Sequence, residues 1–272
     1  MEYNIISFGI SNEKDIDFLI KQHSLFKKYC LDDFKFTVMI CREQGSTINN
    51  YDNLIKKLKE FNIFDYVFIP DCLKYDVIIR RNISEFVGYA LNESIQKIEK
   101  GKLFFIHLDL LPINNFSLKD IFKNCKIGGM EQIRGEINYL WDNLLYIDTN
   151  HVDTNKISFK CCTINNQRCD TGGESFFYLK TLSEEEKIFF KSVKHLNNEE
   201  TINNLKTSNE NINCLLNNYN IQKEESNPHW SEIYIDDIFF HYRSFSRWHQ
   251  DKSNIENDKI NKKRKESILK IN

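Results

Sequence analysis

Apolar positions in the first 110 residues switch repeatedly between strand-like runs and a helical period. "YNIISFGI" (Tyr3–Ile10) is rich in β-formers, and after Ser11 the residues Ile16, Leu19, Ile20, His23 and Phe26 recur at helical spacing. "FTVMIC" (36–41) returns to strand character, "NLIKKLKEF" is helical, and "YVFIP" (66–70) is a further strand. Ile83, Phe86, Val87, Ala90, Leu91, Ile95 and Ile98 then mark one apolar helix stripe that leads into "LFFIH". Strand, helix and strand in alternation predict a largely parallel sheet with helices on both faces. Ligands of such sheets bind beyond the carboxyl ends of the strands. In "KLFFIHLDLLPI" (102–113), His107 and Asp109 fall at such an end, before a turn at Pro112.

The second half has another texture. "KIGGMEQIRGEINYLWDNLLYIDT" (126–149) carries a glycine pair and a further glycine, which mark close backbone approach. A second pair follows in "CDTGGESFFYL" (169–179), and Ser183 with Glu186 spells a capping box expected to open a helix near "EEEKIFFKSVKHL". Residues 197–227 are rich in Asn and Glu with few apolar anchors, and read as a helical or loop insertion. "EIYIDDIFFHYRSFSRWH" (232–249) restores a strand-like run. The charged segment 251–272, with a basic run at 262–265, reads as a solvated terminal helix. The expectation is one main α/β domain over residues 1–250 and a tail.

Composition narrows the classes. With 272 residues and 41% hydrophobic content, the chain can bury an ordinary core. A formal net charge of -2 gives no general pull toward nucleic acid, so a phosphate-bearing partner needs a local site. The eight cysteines are scattered; Cys161, Cys162 and Cys169 come nearest to a cluster, at a spacing that matches no zinc pair. Reduced thiols, no secretory signal in "MEYNIISFGISNEKD" and no membrane-length apolar run lead to the expectation of a cytoplasmic protein.

A carboxylate at the end of a buried strand must be solvated, paired or metal-bound, because burying it bare costs several kcal/mol. Asp109 could therefore clamp Mg²⁺ or Mn²⁺ against a diphosphate, with His107 adding a nitrogen ligand that suits Mn²⁺ better. The other reading of the two residues is a hydrogen-bonded pair closing the strand.

The order of these blocks, an apolar helix ending near "ALNESI" followed by "FFIHLDLLPINNFS", resembles the GT-A class of nucleotide-sugar glycosyltransferases, in which a strand ends in a D-x-D motif. "GGMEQIRGEINYLWDNLLYIDT", "CDTGGESFFYL" and "FFHYRSFSRW" are similar to blocks of small GT-A-like enzymes of large DNA viruses and microbes. The resemblance implies a Rossmann-like, mixed, mainly parallel sheet, with a nucleotide-binding half (1–113) and an acceptor half (114–250). It implies transfer of a sugar from a UDP- or GDP-linked donor to a carbohydrate or glycosylated acceptor, with Mn²⁺ or Mg²⁺ as cofactor. Ser7 and Gly9 would meet the nucleoside, and Arg80 or Arg81 the diphosphate, although the same arginine pair also reads as a solvated helix start. Asp109 carries over as metal ligand, with His107 and the late His241 completing the set. Gly172 and Gly173 would let backbone approach the donor sugar.

For the sugar hydroxyls or the general base, Asp170, Glu174, Asp148 and Asp142 compete. Asp170 leads because the glycine pair after it would expose its side chain at a tight turn, with an Asx-turn as the other reading. Trp141 and Trp248 are platforms for a sugar face or core residues. The chain departs from the family's pattern at His107, where the first Asp of D-x-D is usual, and at Phe245, where Gly is expected. A non-catalytic carbohydrate- or nucleotide-binding protein of the same fold is the competing reading. A Rossmann dehydrogenase or methyltransferase is disfavoured, because no GxGxxG follows the first strand. His107→Asp, which restores the first Asp, is expected to keep or raise metal-dependent nucleotide release; an inactive, misfolded product would show that His107 closes the strand instead.

Overall fold

The structure, a computed structural model, describes residues 2–41, 51–74, 83–190, 194–195, 211, 231–235, 237–242, 265–266 and 268–271. It divides into two compact units of interleaved segments. One comprises Met1–Ile16, Leu31–Leu108 and Ser117–Lys191, the other Asp17–Cys30, Asp109–Phe116 and Ser192–Asn272.

The first unit is built on seven strands: β1 (Tyr3–Ile10), β2 (Phe34–Ile40), β3 (Tyr66–Phe68), β4 (Lys102–His107), β6 (Ile127–Arg134), β7 (Ile137–Asp148) and β10 (Lys187–Phe190). Their order is β10-β6-β7-β4-β1-β2-β3. β1 pairs in parallel with β2 and β4, β2 with β3, and β10 with β6, while β7 runs antiparallel to both β4 and β6. The sheet is thus mixed and mainly parallel, as the alternation of periods predicts. From β1 the chain builds outward through β2 and β3, then returns to lay β4 on the other side of β1. The β1/β4 junction is therefore the topological switch point.

The unbroken apolar runs follow from burial on both faces. Along β4, Phe104 and Phe105 point to opposite sides. Phe105 joins Ile6, Phe8, Met39 and Leu103 against the stripe Phe86, Val87, Ala90, Leu91, Ile95 and Ile98, carried largely by α3 (Ile83–Lys97). Phe104 lies 5.6 Å from Phe122 of α4 (Leu118–Phe122), which stacks on Tyr146 of β7 at 4.2 Å. Helix α2 (Asp52–Phe61) buries Leu54 and Leu58.

Close backbone approach at the glycine pairs is what the structure shows. A Cβ on Gly128 would meet Ile188 Cγ2 at 2.3 Å, and one on Gly129 would meet the Leu144 carbonyl oxygen at 2.4 Å, so β6 lies tight between its neighbours. A hairpin of β8 (Cys162–Ile164) and β9 (Gln167–Cys169) follows, joined by Asn165 and Asn166 at φ +49° and +62°. Two central residues at positive φ make a type I′ turn. It leads through a turn at 170–174 into α5 (Ser175–Leu179).

Three local expectations are corrected. Strand β3 stops at Phe68, because Pro70 has no N–H to give a ladder and its carbonyl instead accepts from Leu73 in the short 3-10 turn Asp71–Lys74. The Ser183/Glu186 box forms, with Ser183 N–H donating to Glu186 Oε2 at 2.9 Å, but it closes one turn and no helix follows. "KIFF" instead pairs with Ile127–Met130 as β10, where edge pairing outcompetes a weak helical preference. The C-terminal segment is not wholly solvated: Ile268 and Ile271 are fully buried, and the Lys21 ammonium donates to the Ile271 carbonyl. Of the 197–227 insertion only Asn211 is described, and it is helical and buried.

The second unit carries a four-stranded antiparallel sheet in the order β11-β12-β13-β5, with β5 (Leu110–Pro112), β11 (Lys194–His195), β12 (Ser231–Tyr234) and β13 (Phe239–Tyr242). α1 (Ile16–Tyr29) contributes all but its first residue to this unit. Phe26, Phe116 and Phe239 form an aromatic cluster, Phe116 and Phe239 lying 4.9 Å apart. Strand β5 is an edge strand, and buried amides satisfy carbonyls on and beside it. Gln22 Nε2 donates to Leu110 at 2.7 Å and Asn211 Nδ2 to Ile113 at 3.1 Å.

Gly172 gives a test of the packing. Its φ is +92°, and an added Cβ would fall 1.8 Å from the Leu140 carbonyl oxygen of β7. Gly172→Ala is expected to lower stability by about 2 kcal/mol or more, read as a shift of the urea midpoint.

Candidate functional site

At the carboxyl ends of β1 and β4 the residues converge as switch-point geometry requires. Gly9 sits at an irregularity of the β1/β2 register, at φ +107°. A Cβ there would lie 3.0 Å from Nε2 and 3.1 Å from Cε1 of His107, so the glycine is needed both for its backbone and for the imidazole against it. His107 also packs edge-on to Phe8, with ring centroids 5.1 Å apart. The Gly9 N–H donates to Cys41 Sγ at 3.1 Å, and burial pushes the Cys41 thiol up to about 12. The thiol is therefore neutral. Ser7, two residues earlier on the same strand, is fully buried in the sheet and is not surface that a nucleoside could meet.

Register separates the competing carboxylates. Asp148 pairs with Lys102 at the amino end of β4, so it stands at the opposite end of the sheet from His107. It is buried, 3.0 Å from His151 Nδ1, and accepts from Asn150 N–H at 3.1 Å. Asp142 lies two residues before Leu144, the partner of Ile106, within a stretch of β7 where the register against β6 jumps from Leu145 to Trp141. It therefore stands at the carboxyl end of β4. Its charge acts on Cys41 and on Cys161, and burial followed by Asp170, Glu85 and Asp142 pushes the Cys161 thiol up to about 12. Asp142, Asp170 and Glu85 thus all lie within electrostatic reach of Cys161. Glu85 and the two thiols carry no motif, and only register and helix phase bring them together. Trp141 is half-buried at the same irregularity.

Asp170 does not make the Asx-turn: its carboxylate takes the next N–H, that of Thr171, while the N–H two residues on, that of Gly172, donates to the Phe159 carbonyl. Asp170 Oδ1 accepts from Thr171 N–H at 2.9 Å, the Asp170 N–H donates to the Tyr139 hydroxyl at 3.1 Å, and Cys161 Sγ is 3.9 Å away. The turn is bolted down on three sides: the buried Thr171 hydroxyl donates to the Ser84 carbonyl at 2.9 Å, Gly172 N–H to Phe159 at 2.7 Å, and Leu140 N–H to Ser175 Oγ at 3.2 Å. The close approach that Gly172 and Gly173 permit is made to this chain's own β7 backbone and to Cys169 and Cys162. Glu174 accepts from Ser158 Oγ at 2.6 Å, and that hydroxyl in turn accepts from Asn92 Nδ2 at 2.9 Å. Its carboxylate holds the 158–160 segment against α3.

In the second unit, β5/β13 pairing sets His241 opposite Leu110, next to Asp109. His241 Nε2 lies 3.3 Å from Asp109 Oδ1, with side-chain exposures of 3% and 1%. Asp109 does not emerge on an open rim as its place after β4 suggests. It is buried against the late histidine, because Leu110–Pro112 is drawn into a second sheet. Oxygen and nitrogen donors at this separation fit one cation, since adjacent corners of an octahedron with about 2.1 Å bonds are about 3 Å apart. Among the described residues no group of three or more His, Cys, Asp or Glu could hold a metal. Arg80, Arg81 and Trp248 lie outside the described residues. No helix among the described residues is long and apolar enough to cross a membrane.

No family model and no curated protein matches the sequence. Solved structures to which the chain is similar include glycosyltransferases. The galactosyltransferase LgtC in complex with donor and acceptor sugar analogs has a TM-score of 0.42 and 11% identity, over 98% of this chain and 96% of that one. An active-site mutant of LgtC has a TM-score of 0.43 and 12% identity, over 96% and 94%. Mouse xyloside xylosyltransferase 1 in its apo form has 0.39 and 10%, over 69% and 84%. At that degree of likeness a shared activity does not follow.

Removing one member of a buried pair leaves the other charge without compensation. His241→Ala is expected to cost about 3 kcal/mol or more of stability in urea denaturation, and His241→Gln, which keeps a donor toward Asp109, less than half of that. Equal and small effects would show that the pair carries no buried charge.

Proposed function

We propose that this protein transfers a sugar from a UDP- or GDP-linked donor to a hydroxyl of a carbohydrate or glycosylated acceptor. The observation that carries the reading is the packing of Gly9 against His107 at the β1/β4 switch point. Glycine at position 9 lets the half-buried His107 imidazole sit at the strand end, so a nucleotide approaching there would meet the imidazole edge. Asp109 and His241 would hold a divalent cation, Mn²⁺ in preference to Mg²⁺ because one donor is an imidazole nitrogen. When bound, that ion would offset the negative charge developing on the diphosphate leaving group. Arg80 and Arg81 are the proposed diphosphate partners by their place in the sequence.

For the acceptor proton, Asp170 and Asp142 are the carboxylates whose surroundings suit the task. Asp170 is oriented by Thr171 N–H and by the anchored turn, so its geometry is set before an acceptor arrives. Glu174, engaged by Ser158, would act on that turn as a positioning residue. A second reading has an observation of its own: Asp109 is 1% exposed and already pairs with His241. In that reading the pair is structural and the protein binds nucleotide or carbohydrate without catalysing transfer.

A donor screen separates them. Release of nucleotide from UDP-, GDP- and TDP-sugars, with and without Mn²⁺, is expected to single out one base and to require the ion. Asp109→Asn, which keeps the side chain's shape, is expected to lower that release at least 100-fold, on the order of 3 kcal/mol in the barrier. Nucleotide binding in calorimetry without turnover and without dependence on Mn²⁺ would establish the second reading, and binding of no nucleotide would overturn sugar transfer and leave the second reading in its carbohydrate-binding form.

A further inference from the structure

We infer that Cys162 and Cys169 are a cross-strand pair built to form a disulfide with a low-molecular-weight disulfide as oxidant, bracing the hairpin that runs into Asp170. The β8/β9 register sets the two residues directly opposite each other, and the two-residue Asn165–Asn166 turn leaves that register no slack. Directly opposed residues of an antiparallel pair have Cα atoms about 4.5 or about 5.5 Å apart, both within the roughly 4.4–6.8 Å that a disulfide spans. Both side chains lie on the face of the hairpin that Gly173 packs against. A single added carbon on Gly173 would touch both, at 2.5 Å from Cys169 Cβ and 3.0 Å from Cys162 Sγ. Cys161 is excluded from the pair by strand alternation, since its Sγ faces Asp170.

Exposure assigns an order of events. Cys162 is half-buried, whereas Cys169 is fully buried among Ile137, Tyr139 and Ile164. The Cys162 thiolate attacks one sulfur of the small disulfide, forming a mixed disulfide and releasing one small thiolate. The Cys169 thiolate then attacks the Cys162 sulfur and releases the second. Two protein thiols lose two protons and two electrons, and the small disulfide leaves as two thiols. Burial, with nearby Cys169 and Glu174 adding to it, holds the Cys162 thiol up at about 11. Closure is therefore slow near pH 7 and accelerates roughly tenfold per pH unit toward pH 9. Cys169 touches Tyr139, whose hydroxyl accepts the Asp170 N–H, so the bond would stiffen the strand that delivers the Asp170 carboxylate.

The full-length protein, incubated with oxidised glutathione between pH 7 and 9 and mapped by peptide mass spectrometry without reduction, tests this. A Cys162–Cys169 linkage lighter by two hydrogens is expected in wild type and in Cys161→Ser, and its absence in Cys169→Ser. The thermal midpoint is expected to rise by about 2–5 °C in the two chains that close the bond and to stay put in the third. If Cys169→Ser fails to fold, the wild-type map decides alone. Full alkylation of both residues after oxidation, or a linkage from either one to Cys161 or to any other cysteine, would overturn the inference.

Discussion

A parallel sheet whose chain reverses its direction of growth leaves one place where no crossover covers the strand ends, and that constraint organises the first unit. Because β2 and β3 are laid on one side of β1 and β4 on the other, the carboxyl ends of β1 and β4 meet where the strand order reverses. What fills that place is decided by space. An imidazole at position 107 and a glycine at position 9 occupy volume that two ordinary side chains could not share. The core on either face, with Phe105 toward α3 and Phe104 toward α4, exists to hold those two ends in register.

Around the same end of β4, the irregularity in β7 does the second piece of positioning. The register against β6 jumps from Leu145 to Trp141, and Asp142 falls within that irregular stretch, where its charge acts on Cys161. The hairpin β8/β9 and the anchored 170–175 turn supply Asp170 to the same neighbourhood. Glycine at 172 is compulsory there because the turn is pressed onto the Leu140 carbonyl. Backbone closeness that reads in the sequence as room for a ligand is here room for the protein's own chain.

Asp109 and His241 answer to a different rule. A buried carboxylate must meet positive charge or a donor, and β5/β13 pairing brings it the histidine. The same pair of donors suits a structural contact and a divalent cation alike.

The alternation of strand and helix, the parallel sheet and the end of β4 were legible from the sequence because periodicity reports burial locally, as Phe104, Phe105 and the Phe86-to-Ile98 stripe do. So were the glycine pairs as points of close approach; the set Asp109, His107 and His241 came through resemblance as metal ligands, and of it the structure shows Asp109 against His241. Which backbone approaches Gly172, why "KIFF" is a strand after a well-formed capping box, and why Asp142 and not Asp148 stands beside Cys161 were decided only by tertiary structure. Each depends on a partner far away in the chain, Leu140 for the glycine, Ile127–Met130 for the strand and Ile106 for the carboxylate's register, and local sequence carries no record of distant pairing.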